Sequence, residues 1–167
     1  MIPKEDVDLL EKILTHTDLA DNEQLLSLEK LAPGLIGYSK FTGKENPVHI
    51  DFYSRYDTKL NKELSRVLNI DNDTPLTIHT VNYEIGAQAL EHRDENSFNT
   101  FVLMLDDNYE GGNFYVEDKI IEFNTRGDVV HYIGWKTRHR VAPVTKGTRK
   151  VLVVWYGSDE KHKTPII

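Results

Sequence analysis

Two hydrophobic periods divide the chain. Up to about residue 70, apolar positions recur three or four apart, the spacing of helix faces. Val7, Leu10 and Ile13/Leu14 follow Pro3 in this way and predict a first helix. Residues 22–31 carry a weaker helical pattern that Pro33-Gly34 should end, and 38–47 are polar and read as a loop. The clearest stripe is 51–68, where Phe52, Tyr56, Leu60, Leu64 and Val67/Leu68 line one face. From Thr74 the period falls to two. The runs 76–83, 100–105, 113–116, 120–123, 129–133, 140–144 and 149–156 read as short strands. Asn72-Asp73, Asp106-Asp107-Asn108, Gly111-Gly112, Glu117-Asp118, Arg126-Gly127-Asp128 and Lys146-Gly147 punctuate them as turns.

Helices first and strands after is an α+β order, with helices packed on one face of a β unit. Short, evenly spaced strands predict a sandwich, barrel or jelly roll. The 167 residues fit one domain, 1–167, with 1–73 as helical support and 74–158 as the β core. The stretch from about 159 reads as a loose tail.

Composition narrows the chemistry. There is no cysteine, so disulfides, thiolate zinc sites, iron–sulfur clusters and cysteine nucleophiles are excluded. The formal charge of −7 disfavours general adhesion to nucleic acid or anionic lipid. The acidic start is no signal peptide, and no apolar run approaches the ~20 residues of a membrane span. A cytoplasmic protein with neither nucleic-acid nor membrane partners is expected. One window departs from the acidic balance: Lys136, Arg138, Arg140, Lys146, Arg149 and Lys150 stand together without an acidic residue. Such a window is a solvated face or a seat for a small anion.

His92-Arg93-Asp94 follows the first predicted strand. Alternate residues of extended chain point the same way, so His92 and Asp94 can face one metal ion together. His139 is the candidate third ligand. Two histidines and one carboxylate make the facial set of non-haem Fe(II) oxygenases, which leaves open positions for a chelating cosubstrate and O₂. Charge supports a 2-oxo dicarboxylate there. Fe(II) with one aspartate is left at +1, the dianion takes it to −1, and one buried arginine restores neutrality. Arg149, after a Lys-Gly turn at the start of the last predicted strand, is placed for that task, and a guanidinium grips a carboxylate with two bonds. Tyr83, on the first strand, offers a phenol to the same ligand. By alternation His79 shares its face and is a candidate lining residue. Gly111-Gly112 reads as an ordinary hairpin turn.

Together these residues resemble the Fe(II)/2-oxoglutarate-dependent dioxygenases, specifically the prolyl 4-hydroxylase-like group. The pattern runs Tyr83, His92-x-Asp94, the stretch from Tyr109 to Phe114, Gly127-Asp128-Val129-Val130, His139-Arg140-Val141-x-Pro143, Gly147-x-Arg149 and Val151 to Trp155. It covers 75–157, half the chain. The resemblance implies a double-stranded β-helix, a cupin-like jelly-roll barrel, with N-terminal supporting helices. It implies that His92, Asp94 and His139 bind Fe(II), that Arg149 binds the distal carboxylate of 2-oxoglutarate, that Tyr83 assists, and that Trp155 lies near the active site. The implied reaction uses O₂ to decarboxylate 2-oxoglutarate to succinate and CO₂ while hydroxylating an unactivated C–H bond, most directly in a peptidyl proline. Ascorbate commonly keeps iron reduced in this group. There are departures. Collagen-type enzymes usually carry Lys where Arg149 stands, and oxygen-sensing enzymes carry a tyrosine near the Met104 position. Repair demethylases carry a second arginine that Lys150 to Trp155 lacks, which disfavours a nucleobase substrate.

Two other readings stay open. The same chemistry could act on a free amino acid or other small molecule. Alternatively, the three ligands could serve a cupin-like metal protein that does not use 2-oxoglutarate. Substrate choice is expected to rest on the loops 39–49 and 93–99. Trp135, Arg138 and Arg140 flank the third ligand, as substrate contacts or as a solvated rim.

Overall fold

The computed structural model describes residues 1–31, 46–71, 74–94 and 97–157. The expected Pro33-Gly34 stop, most of the 38–47 loop and the tail from 159 lie outside the described residues. The described part holds α1 (Lys4–Thr15), α2 (Asn22–Leu31), β1 (Val48–Phe52), α3 (Thr58–Leu68), β2 (Thr77–Tyr83), β3 (Ala89–His92) and β4 (Asn99–Asp106). It continues with β5 (Tyr109–Gly111), β6 (Phe114–Val116), β7 (Lys119–Ile121), β8 (Val129–Ile133), β9 (His139–Val141), β10 (Val144–Gly147) and β11 (Arg149–Tyr156).

Five antiparallel strands form the larger sheet in the order β1-β2-β11-β4-β8. Opposite it lies a smaller sheet, β3-β9-β6-β7, and a short β10-β5 pair joins them as a third sheet. Strand alternation divides the core in two. Val81, Tyr83, Val102, Met104, Val130, Tyr132 and Val151 pack inward against Ala89, Phe114, Val116 and Val141 of the smaller sheet. Ile78, Phe101, Leu103, Leu105, Leu152, Val154 and Tyr156 face outward, where Val7, Leu10, Ile13 and Leu14 of α1 and Leu60 and Leu64 of α3 cover them. Leu10, Leu60 and Leu64 are fully buried. Each such burial stabilises the fold by about 1.5–3 kcal/mol. This is the helix-backed jelly roll that the sequence predicts.

One expectation is corrected. The 51–68 stripe is not one helix: Val48–Phe52 is an edge strand, paired from Val48↔Tyr83 to Phe52↔His79. Phe52 satisfies both periods, and the free edge of β2 supplies hydrogen bonds that decide for the strand. The helix begins after Asp57, whose side chain caps it by accepting from the Leu60 amide at 2.8 Å. Tyr56, counted on the apolar stripe, is 61% exposed. Strands β3 and β5 are likewise not predicted, and neither is β10, because Lys146-Gly147, read as a turn, pairs with Tyr109 and Glu110 of β5. They read ALEH, YEG and VTKG, and none carries an apolar run. Among the described residues, no helix is long and apolar enough to cross a membrane.

Candidate metal centre and anion pocket

His92 closes β3 and His139 opens β9, and the two stand directly opposite each other in register. Their side chains therefore share the inner face, with ring centroids 4.3 Å apart. Asp94 follows two residues after His92, and its amide donates to the Gly134 carbonyl at 3.0 Å. One ligand atom from each of the three residues lies within 4.8 Å of the others. Asp94 Oδ1 is 3.4 Å from His92 Nε2 and 3.3 Å from His139 Nε2.

The far side of each imidazole is fixed. His92 Nδ1 is 2.7 Å from the Leu90 carbonyl oxygen, and His139 Nδ1 is 3.0 Å from that of Thr137. A carbonyl only accepts, so both Nδ1 atoms carry the proton and both Nε2 atoms turn toward Asp94. Such outer hydrogen bonds orient metal-binding histidines. Burial alone would raise the Asp94 carboxyl, but the charge and hydrogen bond of His139, then those of His92, hold it well below the usual carboxylate range. For His92 burial pulls the pKa down, and the Asp94 contact outweighs it and leaves it raised. The donors, two imidazole nitrogens and a carboxylate oxygen around one point, suit a divalent first-row metal with positions left open. Asp94 and His139 are 5% exposed, while His92 is more open.

These residues line a cavity of about 480 Å³ together with His79, Tyr83, Arg149 and Trp155. The three proposed ligands thus meet His79, Tyr83, Arg149 and Trp155 in one place, whereas Trp135, Arg138 and Arg140 do not line it. Exposed Leu90, Glu91 and Arg93 mark its open side. Arg149 lies opposite Tyr83 in register, and its guanidinium carbon sits 4.9 Å above the tyrosine ring. Tyr83 therefore presents its ring face to the arginine. Arg149 is 1% exposed, and its Nε and Nη2 have no hydrogen-bond partner among the described residues. Unpaired buried donors on a cation are costly, and a carboxylate is the ligand that answers both. His79 is buried between Phe52 and Trp155, its ring nearly perpendicular to the tryptophan's, with Nδ1 3.1 Å from Thr77 Oγ1. Burial pushes its pKa down to about 4. Trp155 Nε1 is also buried without a partner among the described residues.

Several members of the site were not picked out from the sequence. Tyr109, quoted only as part of a longer run, shares a hydrogen bond with the Arg149 guanidinium. Gly112 is more than a hairpin glycine. It has φ +63°, and a Cβ there would stand 3.1 Å from Arg149 Cδ and 3.2 Å from the Tyr109 ring. Thr100 and Tyr132 reach Asp94 Oδ2 at 2.9 and 3.5 Å. The basic window proves divided. Arg149 is internal, Arg138 pairs with Glu91, Glu117 and Asp118, and Arg140 stacks 3.7 Å over Tyr115. Trp135 is half exposed.

No family model matches the sequence, and no curated protein is significantly similar to it. Solved structures are similar in fold. A prolyl-4-hydroxylase from Pseudomonas putida matches with a TM-score of 0.51 at 16% identity, covering 92% of this chain and 99% of its own. A Trichoplax adhaerens prolyl hydroxylase, solved with a hypoxia inducible factor oxygen degradation domain peptide fragment, matches with a TM-score of 0.54 at 12% identity, covering 92% and 91%. A 2OG-Fe(II) oxygenase family protein from Burkholderia pseudomallei matches at 17% identity and a TM-score of 0.46 over 60% of this chain. This chain spans about half of that protein's length, 51%. The fold is that of the prolyl hydroxylases.

Proposed function

We propose that this protein is an Fe(II)- and 2-oxoglutarate-dependent dioxygenase that hydroxylates an unactivated C–H bond of a peptidyl proline, releasing succinate and CO₂. The observation that carries the reading is Arg149. It is a fully buried cation with two nitrogens that find no partner among the described residues, lining the same cavity as a His-Asp-His cluster. A metal-binding protein with no anionic ligand has no use for it.

In this reading His92 Nε2, Asp94 Oδ1 and His139 Nε2 hold the iron. Arg149 takes the distal carboxylate of 2-oxoglutarate through paired N–H groups. Tyr83, through its ring face, and Tyr109, through a hydrogen bond, keep the guanidinium in place. Val81, Val102, Val141 and Val151 line the cavity between these ends and exclude water. Bound there, iron and 2-oxoglutarate would together activate O₂ and supply the oxidant for the C–H bond. The substrate approaches past Leu90, Glu91 and Arg93. The peptidyl proline is supported by the fold shared with prolyl hydroxylases, one of them solved with a peptide. Ascorbate would keep the iron reduced.

The test is an anaerobic titration of metal-free protein with Fe(II), then 2-oxoglutarate. A weak visible charge-transfer band should need both components and vanish in His92→Ala, Asp94→Ala and His139→Ala. In air, succinate should form and should rise with proline-containing peptides rather than free proline. Succinate formation that persists in all three variants would refute the assignment; turnover stimulated only by free amino acids would replace the substrate.

A further inference from the structure

Asp94 has two oxygens, and the structure treats them differently. Oδ1 faces both imidazoles, at 3.3 and 3.4 Å. Oδ2 turns the other way, to Thr100 Oγ1 at 2.9 Å and the Tyr132 phenol at 3.5 Å. The ionised carboxylate can only accept, so both hydroxyls donate. The two donors belong together. Thr100 of β4 and Tyr132 of β8 are directly opposite in register, so their side chains share one face of the larger sheet. They reach across to a residue that follows the edge strand of the smaller one.

The surroundings protect this arrangement. Thr100, Asp94 and Ser97 are all buried. Ser97 Oγ donates to the Asn99 carbonyl at 2.8 Å and is a second acceptor for the Thr100 hydroxyl at 3.1 Å, the longer of that hydroxyl's two contacts, since Asp94 Oδ2 lies at 2.9 Å. Gly134 accepts from the Asp94 amide, and a Cβ on it would stand 2.7 Å from Thr100 Oγ1. The glycine keeps open the space that the hydroxyl occupies.

We propose that Thr100 and Tyr132 are positioning residues that hold Asp94 Oδ2 away from the metal, so that the carboxylate offers one oxygen and leaves a coordination place for exogenous ligands. The proposal rests on the metal reading of the triad. Without the hydroxyls the carboxylate can turn and present both oxygens. Loss of outer hydrogen bonds of this kind typically lowers metal affinity 10–100-fold.

The experiment uses Co(II) alone as the probe, titrated into metal-free Thr100→Val, Thr100→Ser and Tyr132→Phe proteins against a competing chelator, with visible spectra recorded. Circular dichroism reports whether each variant folds. Thr100→Val and Tyr132→Phe should each weaken Co(II) about 10–100-fold. Each should also change the ligand-field spectrum, and Thr100→Ser should restore both. Should Thr100→Val fail to fold, Tyr132→Phe, which keeps the ring, carries the same test. Folded variants with the parent's affinity and spectrum would overturn the proposal while leaving the metal centre intact. A parent protein that binds no Co(II) would instead overturn the metal reading, and this proposal with it.

Discussion

Replacing Arg149 with methionine should leave the free protein about as stable as the parent and abolish its response to 2-oxoglutarate. The two effects follow from one inventory. Removing the guanidinium loses the hydrogen bond to Tyr109, about 1.5–3 kcal/mol for a charged partner. It also loses the contacts over Tyr83 and Phe123, about 0.5–2 kcal/mol. Against this, it relieves two buried nitrogens without partners, each costing about 1–3 kcal/mol. Methionine refills most of the stem's volume with a flexible apolar chain. The sums nearly cancel, so thermal midpoints of parent and variant should agree within about 5 °C at 2–4 °C per kcal/mol. Under anaerobic Fe(II), 2-oxoglutarate at a hundredfold its Kd should stabilise the parent by about 2.7 kcal/mol. The variant should show no rise. If the free variant loses the 3–5 kcal/mol typical of a broken buried pair, Arg149 is a structural cation and the reasoning fails. An equal rise in both proteins would place the carboxylate elsewhere.

Two further outcomes are expected. His79 stays neutral in the folded protein down to about pH 4, whereas the unfolded chain protonates near pH 6.5. The unfolded state therefore binds more protons in that window. Stability present above pH 6.5 should fall by up to about 3 kcal/mol on acidification to pH 4. Urea midpoints of metal-free parent and His79→Leu should diverge over this range, and parallel curves would contradict it. Gly112→Ala places a Cβ against Arg149 and Tyr109 at a left-handed residue, a backbone cost of about 1–2 kcal/mol. It should weaken 2-oxoglutarate binding while sparing Co(II) affinity; calorimetry showing unchanged cosubstrate affinity would refute the seating role.

The residues that meet in the cavity were legible because each carried a local sign. His92 and Asp94 sit two apart on extended chain, and Arg149 follows a turn into a strand of near-continuous apolar residues. What the sequence does not carry is register. That His139 stands across from His92 depends on how β3 pairs β9. The hydroxyls on Asp94 depend on the pairing of β4 with β8, and neither Thr100 nor Tyr132 has a local pattern that distinguishes it from an ordinary inward strand residue. Gly112 was legible as a turn, but its neighbour across space, Arg149, was not. The missed strand β1 has a different cause. Its apolar residues fit both periods, and only the exposed edge of β2 decides between them.

The central place in the larger sheet belongs to β11, which lies between β2 and β4 although it follows both by a long stretch of chain. It carries Arg149 and Trp155. A nascent chain therefore cannot assemble the anchor for the cosubstrate until this strand has emerged and inserted. Until then β2 and β4 each show the edge that β11 will fill. The strand itself, apolar on both faces from Val151 to Tyr156, is exposed to wrong pairing in that interval. Non-local pairing of this kind folds slowly. Maturation, rather than the finished fold, is where this architecture is most open to aggregation, and substitutions in β11 should show first as lost yield during synthesis.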